Sequence, residues 1–346
     1  MTFELSAGAL FPWSGWETWW LAPLALLLDL LLEDPRLPWP HPVCLIGACL
    51  ARLEGPVRRL GGTGPHAPLR LRLTGAGALA LLCAATGAVV WLLVSLPLLG
   101  GLLALYLAWA GLAMGSLDRI GRQVAREVEE APLPEARVAL ARLVSRDVSA
   151  LERPMLRKTL ADTLSENFTD AFLAPWFWLL MGGPVALWIY KAVSTGDSMW
   201  GYLNARWRWA GWAAARADDA LAFVPARLSV LALRLADALA RLLPVGRPWR
   251  GRWPGLATVA AQARGMPSPN SGWSMTACAW LIGGRMAGPS VYFGELVTKP
   301  WLGPPETEAA PWDAARIRAL FALETWGTVC GGLALWLACL GAKLLC

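Results

Sequence analysis

Carboxylates gathered beside apolar sequence are the first chemistry visible in this chain. Asp162, Glu166 and Asp170 recur at i, i+4 and i+8, with Asn167 among them. On one helix the three acids share a face, where like charges four residues apart repel. Such a stripe at the mouth of an apolar run calls for a cation, and Mg²⁺ is the usual choice where phosphates share the site. A solvated acidic face is the competing reading. Upstream, Ser145-Arg146-Asp147 offers a guanidinium whose fork matches phosphate or carboxylate. A turn closed by an Arg–Asp pair explains the same three residues.

Four further clusters carry polar groups in suggestive company. Asp29, Glu33 and Asp34-Pro35 precede His41-Pro42; these acids suit a hard cation or are helix-end charges meeting water. Lys191 to Tyr202 places Asp197 among Ser, Thr and Gly. Read as a loop, that stretch exposes backbone N–H groups to anions, with an ordinary turn as the alternative. Arg216, Asp218 and Asp219 put adjacent acids on an otherwise basic helix, as a metal pair or as a local salt bridge. Finally Ser268-Pro269-Asn270-Ser271-Gly272-Trp273, Tyr292-Phe293-Gly294-Glu295 and Lys299-Pro300-Trp301 read as rigid loops presenting polar tips. There is no G-x-x-x-x-G-K-[ST], no G-x-G-x-x-G and no H-E-x-x-H. With His41 and His66 the only histidines, no Ser/His/Asp or Cys/His triad is readable. Phosphate chemistry here does not use a standard nucleotide fold.

The elements that must position these groups are membrane helices. Of 346 residues, 56% are hydrophobic and 16% charged, and mean hydropathy is +0.44. An ordinary soluble domain carries about 25% charged residues, so this chain has too few to cover a globule. Its 22 tryptophans against four tyrosines suit a bilayer interface, where an apolar ring with one N–H is at home. The formal charge of +6 is modest, and basic loops on a membrane protein report orientation rather than nucleic acid. Seven cysteines form no C-x-x-C pair, so neither a disulfide framework nor a zinc site is expected. Met1 to Leu21 lacks a basic start and contains Glu4 and Glu17, against a cleaved signal peptide. No internal repeat is visible.

Between Arg72 and Asp118 lie 45 uncharged residues, enough for two crossings at ~20 residues each. Pro97 supplies the break, predicting a hairpin of helices over 74–95 and 98–115. Arginines before it and nine Lys/Arg between 115 and 167 put both flanks in the cytoplasm. The run Ala171 to Tyr190 carries Gly182-Gly183-Pro184 at its centre. A full crossing there would put ten arginines and four acids of 192–272 outside. A broken, re-entrant pair of half-helices avoids this, provided protein or a wet cavity satisfies its backbone; the full span is the alternative. Thr325 to Ala342 reads as a C-terminal span. The stretch from Thr18 ends in Asp29, which is costly at bilayer centre, so it lies partly in the interface. Trp212 to Leu243 reads as an amphipathic helix pair on the cytoplasmic surface, bent at Pro225. The expected fold is all-α: a polytopic integral membrane protein, one domain over 1–346, with about four to five membrane-embedded helical segments and little call for strand.

In order, these pieces resemble the CobD/CbiB family of adenosylcobinamide-phosphate synthases. The resemblance runs from Asp29-x-x-x-x-Asp34-Pro35 and His41-Pro42 through Ser145-Arg146-Asp147, Glu166-Asn167-x-x-Asp170 and Asp197-Ser198-Met199. It continues through Gly201-Tyr202, Ala215-Arg216-x-Asp218-Asp219, Ser268-Pro269-Asn270 and Lys299-Pro300, covering about residues 24–303. The family usually carries Lys-His shortly before Ser-Pro-Asn, where this chain has Arg264-Gly265-Met266-Pro267. The resemblance implies a multi-pass enzyme of the bacterial inner membrane with its site facing the cytoplasm. It joins adenosylcobyric acid to (R)-1-amino-2-propanol O-2-phosphate, or a related amino alcohol, using ATP and Mg²⁺. It further implies Glu166, Asp170, Arg146 and Lys299 as catalytic groups. Asp197, Arg216, Asn270, Tyr202 and His41 would bind cofactor or substrate. Asp162, Glu166, Asp170, Asp218 and Asp219 would hold the metal. Expected partners are the adenosyl-corrinoid, the amino-alcohol phosphate, membrane lipid and other cobalamin-biosynthesis enzymes. A transporter and a non-catalytic membrane sensor or scaffold of the same family are the alternative functions.

Overall fold

Helices account for nearly all regular structure in the computed structural model, which describes residues 19–35, 38–243, 247–292 and 294–345. The reading of the N-terminus as free of a signal peptide falls mainly on residues 1–18, outside the described residues. The first helices are α1 (Leu21–Leu32), α2 (Pro42–Gly61), α3 (Ala67–Val94) and α4 (Gly100–Gly111). They are followed by α5 (Met114–Glu130), α6 (Leu133–Ala141) and α7 (Arg153–Asn167). A π-helical segment, Phe168–Leu173, joins α7 to α8 (Ala174–Trp200). Then come α9 (Trp212–Leu221), α10 (Phe223–Leu242), α11 (Leu256–Ala263) and α12 (Gly272–Ile282). Four short strands, β1 (Met286–Ala287), β2 (Ser290–Tyr292), β3 (Glu295–Val297) and β4 (Trp301–Leu302), precede α13 (Ala314–Trp326). A second π segment, Gly327–Gly331, leads into α14 (Gly332–Leu345).

Among the described residues four stretches are long and apolar enough to cross a membrane: Ala67–Val94, Gly100–Glu130, Arg153–Trp200 and Ala314–Ala342. The hairpin expected around Pro97 is present with shifted bounds. The first helix starts earlier, at Ala67, because Arg70 and Arg72 continue its helical turns. The second stops at Gly111, where Leu112 turns extended (φ −86°, ψ 158°).

The chain divides into two units. The first comprises Met1–Ala113, Ala174–Leu221 and Cys339–Cys346. Its core is built on Ala25, Leu50, Leu107, Trp176, Trp188 and Trp200, all buried. Tryptophans inside it find acceptors for their N–H groups: buried Trp188 donates to the Leu107 carbonyl at 2.9 Å and half-buried Trp178 to Leu221 at 3.2 Å. Helix α8 is kinked where the sequence places its Gly-Gly-Pro triplet. Gly183 sits at φ 63°, a conformation open to glycine at little cost. Close packing also selects small residues: a Cβ on Gly75 of α3 would fall on the carbonyl oxygen of Ala210.

The second unit comprises Met114–Leu173 and Ala222–Ala338. Leu156, Leu160, Leu164, Phe168 and Phe172 are buried in its core. Arg157 clasps Glu129 through two 2.6 Å bonds. Arg153 donates to the carbonyls of Glu129 and Ala131 at 3.0 Å each. These bonds place cationic donors at the carbonyl end of α5, where the helix dipole favours them. The break expected at Pro225 falls instead at Ala222; Pro225 lies in the first turn of α10, where a missing N–H leaves no bond unmade. The strands are the element sequence periodicity does not show. β1 pairs antiparallel with β4 (Met286 to Leu302), and β2 with β3 (Ser290 to Val297). Pieces of two or three residues are too short for an alternating pattern.

Candidate functional site

In the second unit, α7 and the strand segment meet at a buried carboxylate. Asp162 is fully enclosed. Its Oδ2 accepts from Arg146 Nη1 at 2.7 Å and from Lys158 Nζ at 2.9 Å. Its Oδ1 accepts from the backbone N–H of Ala287 at 2.9 Å. Lys158 also donates to the Ala287 carbonyl. Ala287 sits at φ 57°, rare for a residue with a Cβ, and this two-sided grip on its peptide groups holds it there.

Aromatic rings and a hydroxyl orient the cations. Arg146 Nη1 lies 3.4 Å from Ser290 Oγ, and its guanidinium is 5.8 Å from the Tyr292 ring centroid. Lys299 donates to the Tyr292 hydroxyl at 2.9 Å and lies 4.6 Å from the same ring. The Lys158 ammonium stands 5.1 Å from the Trp301 centroid. The Asp147 N–H donates to the Val291 carbonyl at 2.9 Å, tying the Ser145-Arg146-Asp147 turn to the β2–β3 hairpin. Glu166, one turn beyond Asp162, feels the charges of Lys299, Asp162 and Arg146. Burial alone would weaken the Arg146 cation; Asp162 outweighs it, with help from Tyr292 and Glu166, and keeps its pKa above the usual value.

Three cations, Arg146, Lys158 and Lys299, thus gather with the carboxylates of Asp162 and Glu166. Beside them opens a pocket of about 150 Å³ lined by Arg146, Asp147, Lys158, Thr159, Ser290 and Leu296, so that one acid faces it together with two cations. That volume holds a phosphate or carboxylate group, while a corrinoid ring would have to lie outside it. The chemistry on offer is binding an anion and stabilising negative charge that develops on oxygen.

The acid stripe expected on one helical face does not form. Asp162 is buried, Glu166 is half-buried and Asp170 is exposed. Asp170 belongs to the π segment, whose wider turn carries it out of phase with α7. Asp162 holds two cations and an N–H rather than a metal. Among the described residues no three His, Cys, Asp or Glu groups come together as a metal cage. The donor set fits Mg²⁺ only in its phosphate-borne form, in which one or two carboxylates complete a shell of phosphate oxygens and water. Asp170, exposed on the π segment, is the second unit's carboxylate for that role.

Asn270, also in the second unit, accepts from Arg227 Nη1 at 3.2 Å. That guanidinium lies 4.6 Å from the Trp273 centroid and 3.3 Å from that of Phe223. Sequence reasoning missed Lys158 and Ser290. Lys158 stands four residues before Asp162, a spacing that signals an ion pair; Ser290 gave no signal.

In the first unit, His41 is the N-cap of α2, its Nδ1 accepting from the Val43 N–H at 3.3 Å. Burial pulls its pKa down and Lys191 adds to the effect, against Asp34 and the Ala110 backbone. The imidazole therefore stays neutral, the form able to accept. Asp197 lies in the last turn of α8, not in the loop expected there. It interacts electrostatically with Asp219, and Arg216 stands 3.8 Å from Asp219. A Cβ at Gly201 would fall on the Asp197 carboxylate, so the residue beside it must be glycine. Tyr202 is exposed just beyond α8.

The chain matches the family described as CobD/CbiB protein over residues 22–322. Cobalamin biosynthesis protein CbiB of Salmonella arizonae is 34% identical over 325 residues, covering 91% of this chain and 95% of the relative. Cobalamin biosynthesis protein CobD of Pelobacter propionicus is 40% identical over 289 residues, or 82% and 84% of the two chains. The CobD protein of Geobacter metallireducens is 39% identical over 304 residues, or 87% and 91%. No solved structure matches. A match through most of the helices, joined to relatives aligned along most of their lengths, places this chain in the CobD/CbiB family of cobalamin biosynthesis proteins.

Proposed function

We propose that this chain is an adenosylcobinamide-phosphate synthase. It would form an amide between the carboxylate of adenosylcobyric acid and the amine of (R)-1-amino-2-propanol O-2-phosphate or a related amino alcohol, with ATP and Mg²⁺. The observation that supports it most is the pair of cations, Arg146 and Lys158, that Asp162 fixes on the lining of a phosphate-sized pocket. Amide formation from a carboxylate must first turn its oxygen into a leaving group, and both that activation and the amine's phosphate bring anionic oxygens to the site.

Each residue then has a role. Arg146, fixed by Asp162 and Ser290, would grip an anionic oxygen through its fork. Lys158 and Lys299 would neutralise charge that grows as the acyl carbon becomes tetrahedral. Glu166, facing Lys299, would accept the proton that the attacking amine must lose. Asp162 touches no reacting atom in this scheme; it positions Arg146 and Lys158. Bound Mg²⁺ would shield the nucleotide phosphates, with Asp170 as its carboxylate from the second unit. In the first unit, Asp197, Asp218 and Asp219 with Arg216 form the other polar group that could meet nucleotide or amine. His41 supports α2, and Asn270 and Tyr202 would orient substrate. The reaction would take place on the cytoplasmic side of the inner membrane.

The test is rescue of a synthase-deficient strain by this chain. Restored corrinoid completion, lost on Arg146→Gln while the protein remains inserted, supports the assignment. Stable insertion of the parent without rescue would favour the non-catalytic relative.

A further inference from the structure

The first unit carries a basic surface that the proposed reaction does not use. Arg52 and Arg59 on α2 and Arg70 on α3 are exposed. The one acid between Arg52 and Arg72 is Glu54, and two other arginines already share it. Arg58 bonds it at 2.8 Å and Arg206 at 2.9 and 2.7 Å. Among the described residues no carboxylate pairs with Arg52, Arg59, Arg70, Arg72 or Arg208.

Indole rings hold several of these cations in place without neutralising them. Arg72 lies 4.6 Å from the Trp209 centroid and Arg208 lies 5.0 Å from it. Trp207 receives Arg58 at 4.9 Å and Arg206 at 5.2 Å, and stacks on Trp200 at 5.4 Å. Exposed leucines accompany the arginines: Leu60 is 71% exposed, Leu73 64% and Leu203 88%. Arg70 and Arg72 lie near the start of α3, a helix fit to cross the bilayer. That is the level at which a span meets headgroups.

We propose that this arginine–tryptophan surface binds the headgroups of anionic phospholipid. Preset, unneutralised guanidiniums meet the phosphodiesters, and the leucines meet the upper acyl chains. A zwitterionic headgroup has the same phosphate but cancels it with its own ammonium, so the surface discriminates by net charge.

The full chain, reconstituted in nanodiscs of phosphatidylcholine alone or mixed with phosphatidylglycerol, tests this. Native mass spectrometry counts the lipid retained after transfer to detergent. The parent should enrich phosphatidylglycerol and lose that enrichment at high salt. Neutralising Arg59, Arg70 and Arg208 together to Gln should weaken enrichment about fivefold per arginine, ~100-fold in all. The corresponding triple Lys variant should keep it. Equal retention of both lipids by the parent overturns the proposal without any variant. So does unchanged enrichment in the Gln variant. Inorganic phosphate displacing the lipid or stabilising the chain as well as phosphatidylglycerol does would assign the surface to free phosphate instead.

Discussion

Asp162 shows how one side chain changes meaning once its neighbours are known. As part of a repeating acid pattern it suggests a metal; enclosed between Arg146 and Lys158 it keeps two cations together in the interior. Removing it with Asp162→Ala leaves those cations facing each other without a counter-charge. The expected loss is about 3–5 kcal/mol of stability, read as a fall in resistance to denaturant-induced unfolding. A variant as stable as the parent would mean that water or a neighbouring acid replaces the carboxylate. Glu166 has a different expected signature, because it is assigned to proton transfer rather than to holding the site. Glu166→Gln should lower kcat about 10²–10⁴-fold and change KM little. A change confined to KM would move Glu166 to substrate binding.

At the scale of elements, α10 and the strands carry the most information. Asp237 of α10 is buried and accepts from Arg247 at 2.7 Å, Trp249 at 2.9 Å and Arg241 at 3.0 Å. Burial would raise this carboxyl, but the three donors outweigh it and hold its pKa below the usual value. A folded-state pKa below the unfolded one means the stabilisation is complete above the unfolded value of ~3.9. It is lost as pH falls through the folded value. Thermal midpoints should therefore drop in that acid range for the parent, and Asp237→Asn should lose that pH-dependent component. The helical framework was legible because its signals are local: uncharged runs, Pro97, and Gly182-Gly183-Pro184 each act on a few adjacent residues. The contact of Asp162 with Ala287 was not, since it joins residues 125 apart through strands too short to pattern. The phase error at Asp170 has a similar source: a π turn leaves no mark in a sequence read at 3.6 residues per turn.

For the whole molecule, the four stretches among the described residues that are fit to cross a membrane and the family match agree with the hydropathy and motif reading. The proposed orientation puts residues 192–272 on the cytoplasmic side. A cysteine-free chain carrying Arg208→Cys should react with an impermeant maleimide only after the inner membrane is opened; labelling of intact spheroplasts would reverse that orientation. The two units each hold part of the expected polar set. His41, Asp197, Tyr202, Arg216, Asp218 and Asp219 belong to the first. Arg146, Asp162, Glu166, Asp170, Asn270 and Lys299 belong to the second. The proposed reaction can be measured directly. Purified full chain in nanodiscs, given adenosylcobyric acid, amino-alcohol phosphate, ATP and Mg²⁺, should release ADP and form the amide in equal amounts, with product formation nearly abolished by Arg146→Gln. A folded, monodisperse parent that consumes no ATP and makes no amide with both substrates present would contradict the account.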